Sequence, residues 1–294
     1  MVKIKAPAKI NIFLEVTGKR PDGYHDLATV FARVGVGDEL SLRRSVAPGI
    51  KLVLKGCAGL GLGKLSDNLV YKAAESFFKA FPVASGVHIT LRKLLPVGAG
   101  LGGGSSDAAS TLLGLCRLYG ISRKANAEKL RRIAAGLGSD VPFFLLESRM
   151  AAATGRGEKL KVLRPRGKMP FVVVVYPGKP VYTEEAFGCL RLAPKPAIKR
   201  RLADFRGIIK HIENGNFPGV RGLLFNRLET VVLPLHKEVR LVKARLERAG
   251  ADAVLMSGSG SAVFALAWKA GQARRIAAAA GCNSSYTVFL AKFC

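Results

Sequence analysis

The sequence predicts an α+β protein of two domains with mixed sheets. Strand-period and helix-period segments alternate along its 294 residues without a regular strand–helix–strand series. No internal repeat or low-complexity linker interrupts them. The composition shifts once, at residues 164–170 (R-P-R-G-K-M-P), which divides the chain into 1–163 and 164–294. Each part is long enough for its own core.

The elements follow in order. Residues 3–5 and 10–16 read as strands, and 39–43 and 50–54 as two more. Residues 67–81 open on an N-cap pattern and carry Leu69, Ala73, Phe77 and Phe78 at helical spacing. Residues 87–93 alternate as a half-buried strand does and run into a glycine-rich loop. The next helix, 105–119, has its apolar stripe at Ala109, Leu112, Leu113, Cys116 and Leu118. A second helix, 126–137, ends at Gly138. Beyond the composition shift come a strong strand at 171–176, basic helical segments as far as Ala249, and a Gly-Ser loop at 257–261. Strands at 262–266 and 286–293 close the chain.

Composition narrows the function classes. Hydrophobic residues make up 49% and charged residues 23%, an ordinary globular balance. No apolar run approaches the roughly 20 residues that cross a bilayer, so no membrane association is expected. The first eight residues lack the apolar block of a signal peptide, and the expected location is the cytoplasm. Five scattered cysteines without a C-x-x-C pair, and four histidines without H-E-x-x-H, argue against disulfides and a transition-metal site. The net charge of +27 suits a polyanionic partner, but the basic residues are spread out and not interleaved with aromatics. That distribution argues against nucleic acid and suits attraction of a phosphorylated small molecule or a solubilising surface. The oligomeric state is not legible.

The strongest motif runs Pro96-Val97-Gly98-Ala99-Gly100-Leu101-Gly102-Gly103-Gly104-Ser105-Ser106-Asp107, with five glycines in seven residues opening a helix. Glycine permits positive φ and close approach of backbone to ligand. The helix's unpaired amides and dipole make an anion site. Ser105 and Ser106 can cap the helix or bind a phosphate oxygen or a metal. Two look-alikes fail. Gly98, Gly100 and Gly103 fit G-x-G-x-x-G, but the helix leads to another helix rather than to a strand ending in an acid. The G-L-G-L-G-K stretch at 59–64 lacks the first glycine and the Ser/Thr of a P-loop.

Weaker signals lie elsewhere. Lys9 and Asn11, two apart in P-A-K-I-N, point to one strand face, which is either solvated or functional. In D-G-Y-H, Tyr24 can stack on a flat ring and His25 can hydrogen-bond it, or both can be ordinary packing residues. Asp140, in S-D-V-P-F-F, is an N-cap or a base. M-S-G-S-G-S at 256–261 is a hairpin or a lid.

Taken together and in order, these five motifs resemble the signature of the GHMP kinases. Within that superfamily, P-A-K-I-N with D-G-Y-H is similar to the diphosphocytidyl-methylerythritol kinases. The resemblance runs from Ile4 to Leu266, supported by D-N-L-V at 67–70, G-R-G-E at 155–158 and N-R-L-E at 226–229. It implies a two-domain GHMP kinase fold with the active site in the interdomain cleft. The implied reaction moves the γ-phosphate of ATP, with Mg2+, to the 2-hydroxyl of 4-diphosphocytidyl-2-C-methyl-D-erythritol. By the same resemblance, Pro96 to Ser106 would wrap the phosphates, Asp140 would be the base, and Lys9 would sit beside it to stabilise charge. Asn11 would position the hydroxyl group and Asn68 would lie near the adenine. Tyr24 and His25 would read the cytosine, with Phe187 as a second stacking ring and Thr183 nearby. Two positions depart from the family pattern: Arg227 stands where Asp is usual, and Ser139 where Ala is usual. The competing readings are a homoserine- or mevalonate-type GHMP kinase, whose substrate has no nucleobase for Tyr24 and His25, and a basic nucleic-acid binder on a kinase scaffold.

Overall fold

The computed structural model describes residues 1–56, 64–83 and 85–294; the G-L-G-L-G-K stretch lies almost wholly outside them. The chain forms two compact units. The first comprises Met1–Ala8, Gly37–Val97 and Gly102–Glu147, and the second Lys9–Val36, Gly98–Leu101 and Ser148–Cys294. Two long strands, β1 (Val2–Lys19) and β2 (His25–Ser45), run through both.

In the first unit, residues 39–45 of β2 pair antiparallel with β4 (Gly86–Arg92), from Glu39 opposite Arg92 to Ser45 opposite Gly86. Strand β3 (Ile50–Lys55) lies parallel to β4 on its other side. The helices are α1 (Leu69–Ala80), α2 (Gly103–Tyr119), α3 (Ala127–Leu137) and the short α4 (Val141–Leu145). Asn68 starts α1 by accepting the Val70 amide at 2.9 Å. Helix α2 is buried along most of its length and packs on α1. It also lies close on the sheet: a Cβ at Gly114 would fall 2.8 Å from Leu42 Cδ1.

The second unit contains β5 (Met150–Gly155), β6 (Lys159–Leu163), β7 (Phe171–Tyr176), α5 (Thr183–Gly188), α6 (Lys195–Glu213), α7 (Phe217–Val220) and β8 (Phe225–Asn226). It continues through α8 (Glu229–Leu235), α9 (Lys237–Arg248), β9 (Ala253–Met256), β10 (Val263–Ala267), α10 (Ala270–Gly281) and β11 (Thr287–Lys292). Residues 27–32 of β2 pair antiparallel with β5, which forms a hairpin with β6, and β8 runs parallel to β1 at Phe13 and Leu14. The other sheet is antiparallel, in the order β11-β7-β10-β9. Strand β7, buried at its four central valines, is the strong strand that the apolar run at 171–176 predicts, and it lies inside the sheet with a neighbour on each side. The core of this unit joins Leu14 and Val16 of β1 to Val173, Val239, Val242, Leu246, Val263 and Ile276.

The expected helices at 67–81, 105–119 and 126–137 are present to within two residues of their ends, as are the strands at 87–93, 171–176 and 262–266. Residues 3–5 and 10–16 are one strand rather than two, and β2 begins 14 residues before the predicted 39. Strands β5, β6, β8 and β9 and helices α4 and α10 are additional. β5 reads M-A-A-A-T-G, and alanine carries no strand preference of its own; cross-strand pairing on both sides makes it a strand. Among the described residues no helix is long and apolar enough to cross a membrane.

Candidate active site

The glycine-rich loop is built by alternation. Gly98, Gly100 and Gly102 have φ of 67°, 71° and 67°, whereas the intervening Ala99 and Leu101 do not have positive φ. Such alternation turns successive amides toward one side and makes an anion-binding nest. In the second unit, four successive carbonyls of this loop are each occupied by a donor. Gly98 O accepts from Val181 N at 3.0 Å and Ala99 O from Ala262 N at 3.1 Å. Gly100 O accepts from Ser257 Oγ at 2.9 Å and Leu101 O from Lys9 N at 2.9 Å. None of the amides of 98–105 donates to a protein acceptor among the described residues. Each of these carbonyls has a donor, and the amides are open.

In the first unit the loop becomes α2, with Gly102 as N-cap. Neither serine caps the helix, which settles one of the two uses expected for them. Ser106 Oγ is buried with no hydrogen-bond partner, an atom that a ligand oxygen or ion would satisfy. Behind the first turns of α2, Lys93 Nζ donates to Asp38 Oδ2 at 2.5 Å and to Asp107 Oδ2 at 2.9 Å. Burial pushes the Asp107 carboxyl up to about 7, against the pull of the Lys93 charge. Burial also disfavours the Lys93 ammonium, but the Asp107 and Asp38 charges outweigh it and hold its pKa above the ordinary lysine value. Asp140 occupies the N-cap position of α4, yet its carboxylate does not cap that helix. Asn68 uses its side-chain oxygen as the α1 cap.

In the second unit, β1 carries polar groups into the interior. Lys9 is 5% exposed and Asn11 2%, which excludes the solvated-face alternative. Lys9 Nζ donates to Asn11 Oδ1 at 2.8 Å, Asn11 Nδ2 to Thr29 Oγ1 at 2.8 Å, and Thr29 Oγ1 to Phe13 O at 2.6 Å. The 256–261 turn packs on this row: a Cβ at Gly258 would lie 3.2 Å from Asn11 Oδ1 and 3.4 Å from Lys9 Nζ. Asn226, itself buried, holds the turn through Met256 O at 2.8 Å and Gly258 O at 2.7 Å. Ser259 Oγ lies 3.0 Å from Thr183 Oγ1.

The aromatic residues group as well. His25 and Phe187 stack with centroids 5.2 Å apart, while Tyr24, 54% exposed, lies under the Arg156 guanidinium at 4.8 Å. Burial and the Lys19 charge push the His25 pKa below the usual imidazole value, so the ring is neutral near pH 7. Sequence alone gives no signal for Thr29, Asp38 or Lys93, whose partners are set by strand register, and it marks Asn226 only as part of N-R-L-E, without its role in holding the 256–261 turn. Arg227 has a structural explanation: it makes a two-pronged ion pair with the buried Glu15 of β1, at 2.7 and 2.8 Å.

Residues 68–148 match the GHMP kinases N terminal domain and residues 208–285 the GHMP kinases C terminal family. A 4-diphosphocytidyl-2-C-methyl-D-erythritol kinase of Exiguobacterium sibiricum is 41% identical over 98% of this chain and 97% of its own. The enzyme of that name from Bacillus subtilis is 39% identical over 92% and 90%. A crystal structure of 4-(cytidine 5'-diphospho)-2C-methyl-D-erythritol kinase superposes with a TM-score of 0.78 at 37% identity, covering 99% of this chain and 98% of that one. A homoserine kinase of Cytophaga hutchinsonii shares the fold, with a TM-score of 0.80 at 19% identity, over 99% of this chain and 94% of its own. The chain belongs to the GHMP kinases and, within them, to the 4-diphosphocytidyl-2-C-methyl-D-erythritol kinase family.

Proposed function

We propose that the protein transfers the γ-phosphate of ATP to the 2-hydroxyl of 4-diphosphocytidyl-2-C-methyl-D-erythritol. The observation that carries this reading is the 98–105 turn, whose carbonyls from Gly98 to Leu101 are occupied and whose amides are open. Such a turn takes the polyphosphate of a nucleotide, and in phosphoryl transfer positioning and charge neutralisation supply most of the catalysis. Asp140 accepts the proton of the substrate hydroxyl group. Lys9 stabilises the charge that develops, Asn11 positions the hydroxyl group, and Asn68 serves the adenine side. Tyr24, His25 and Phe187 read the cytosine, with Thr183 beside them. A neutral His25 suits hydrogen bonding to a base edge, and aromatic faces suit stacking on a flat ring.

Mg2+ fits as a companion of the nucleotide. Among the described residues no group of three or more His, Cys, Asp or Glu could hold an ion. Its ligands would be phosphate oxygens with one or two protein oxygens, of which the unpartnered Ser106 Oγ is one. When bound, the ion neutralises charge on the phosphoryl oxygens.

The testing experiment is a coupled ADP-release assay with Mg-ATP, comparing the cytidyl substrate with homoserine and mevalonate. Turnover with the cytidyl substrate alone is expected. Turnover with homoserine or mevalonate instead would discard the cytosine-reading roles. RNA binding without any ATP turnover would discard the kinase reading.

A further inference from the structure

We infer that Asp38, Lys93 and Asp107 form a buried positioning device that fixes both ends of the phosphate-binding loop. The inference rests on the reading above that the first turn of α2 takes the nucleotide phosphates.

The geometry is specific. The loop leaves β4 at Lys93 and ends in α2, so Lys93 and Asp107 flank it in sequence. Asp38, fully buried on β2, accepts the amides of Leu94 and Leu95 on Oδ1, at 2.6 and 2.8 Å, which sets the direction in which the chain departs. Its Oδ2 takes the Lys93 ammonium, and the same ammonium reaches Asp107 in the second turn of α2. One cation thus ties the outgoing chain to the returning helix through a carboxylate anchored in the sheet. The backbone of the first turn rests on this cluster: a Cβ at Gly103 would lie 3.4 Å from Lys93 Nζ and 3.5 Å from Asp38 Oδ2. A shift of the ammonium therefore moves the first turn.

Stability gives a poor account of the arrangement. Two buried carboxylates share one ammonium, and Asp107 Oδ1 is left without a hydrogen-bond partner. A buried ion cluster with an unsatisfied oxygen is commonly less stable than apolar side chains of the same volume. What the ions supply, and apolar packing does not, is direction. The Lys93 bonds are charge-assisted and short, and they define where the helix begins relative to the sheet. Anion binding by backbone amides depends on that aim to a fraction of an ångström.

The experiment measures dissociation constants of ATP, ADP and the cytidyl substrate, with KM and kcat, for Lys93→Met, Lys93→Arg and Asp107→Leu. Loss of a hydrogen bond to a charged group corresponds to about 10- to 100-fold. Lys93→Met and Asp107→Leu are expected to weaken ATP and ADP by about that factor. Binding of the cytidyl substrate should stay within about threefold, and Lys93→Arg should recover most of the ATP loss. A structural role alone would weaken all ligands together. Folded Lys93→Met with ATP affinity within twofold of the parent overturns the inference, and if that variant does not fold, folded Asp107→Leu decides in the same way. Ser105→Glu separates the two levels, because a carboxylate in the first turn is tolerated by the helix but repels phosphate. ATP binding unchanged in Ser105→Glu refutes the phosphate reading itself. ATP binding lost there but kept in Lys93→Met refutes only the positioning role.

Discussion

Lys9 Nζ and Asn11 Oδ1 are joined by a 2.8 Å hydrogen bond between alternate residues of one buried strand. Their Cβ atoms share a face, and Asn11 is held in turn by Thr29. A cation so held is aimed without needing to reorganise when charge develops. Lys9→Met should therefore lower kcat by about 10²- to 10³-fold while the dissociation constant of ATP moves by only a few fold. Steady-state kinetics with equilibrium binding checks it; a kcat within tenfold of the parent would remove Lys9 from the charge-stabilising role.

Asp140 sits where an N-cap would, without capping α4, so replacing its carboxylate costs that helix little. Asp140→Asn is isosteric and keeps an acceptor oxygen but is no base. Turnover should fall by about 10²- to 10⁴-fold with nucleotide binding within a few fold. Near-normal turnover would assign the base elsewhere.

Gly100 has a φ of 71°, and a Cβ there would fall 2.1 Å from Ser257 O and 2.9 Å from Gly260 O. Neither obstacle is a flexible side-chain end, so the loop itself must move. Gly100→Ala should cost about 2–4 kcal/mol of stability and weaken ATP binding. Gly136, inside α3 with open space around it, is the contrasting case. Gly136→Ala should raise stability by about 0.5–1 kcal/mol. Urea unfolding of both variants is the measurement, and equal effects would contradict the loop geometry.

Phe187 stacks on His25, so its ring both offers a face and holds the imidazole. Phe187→Ala should raise KM for the cytidyl substrate by about tenfold or more, with KM for ATP unchanged. A loss confined to kcat would place the pair outside base recognition.

Much of this is legible in the amino-acid sequence. The face shared by Lys9 and Asn11 follows from strand geometry alone, and a close-turning loop with open amides follows from glycine spacing ahead of a helix. What was not legible depends on partners distant in sequence. Gly37 looks like a strand breaker, but a Cβ there would fall 2.0 Å from Ala6 O, so the glycine lets β2 pass close to β1 and continue. Thr29 meets Asn11 across 18 residues, and Asp38 meets Lys93 across 55, through a register that no local pattern encodes. The R-P-R-G-K-M-P stretch lies within the second unit, between β6 and β7.

Asp107 gives a prediction with a definite sign. Burial raises its carboxyl from 3.8 to about 7, the Lys93 charge opposes that rise, and the Asp38 charge adds to it. Between those two values the unfolded chain has released the proton and the folded protein still holds it. Folding stability from this group is therefore complete below about pH 4, declines as pH climbs through about 7, and is flat above. The change amounts to a few kcal/mol at most, on the order of 1.4 kcal/mol per pH unit of separation. Asp107→Asn has no proton to lose and keeps an acceptor for Lys93. Urea unfolding of both proteins at pH 5 and pH 8 isolates the effect from every other titrating group. The parent should lose stability relative to the variant on going to pH 8, and parallel behaviour would show that Asp107 is already ionised in the folded protein at pH 5.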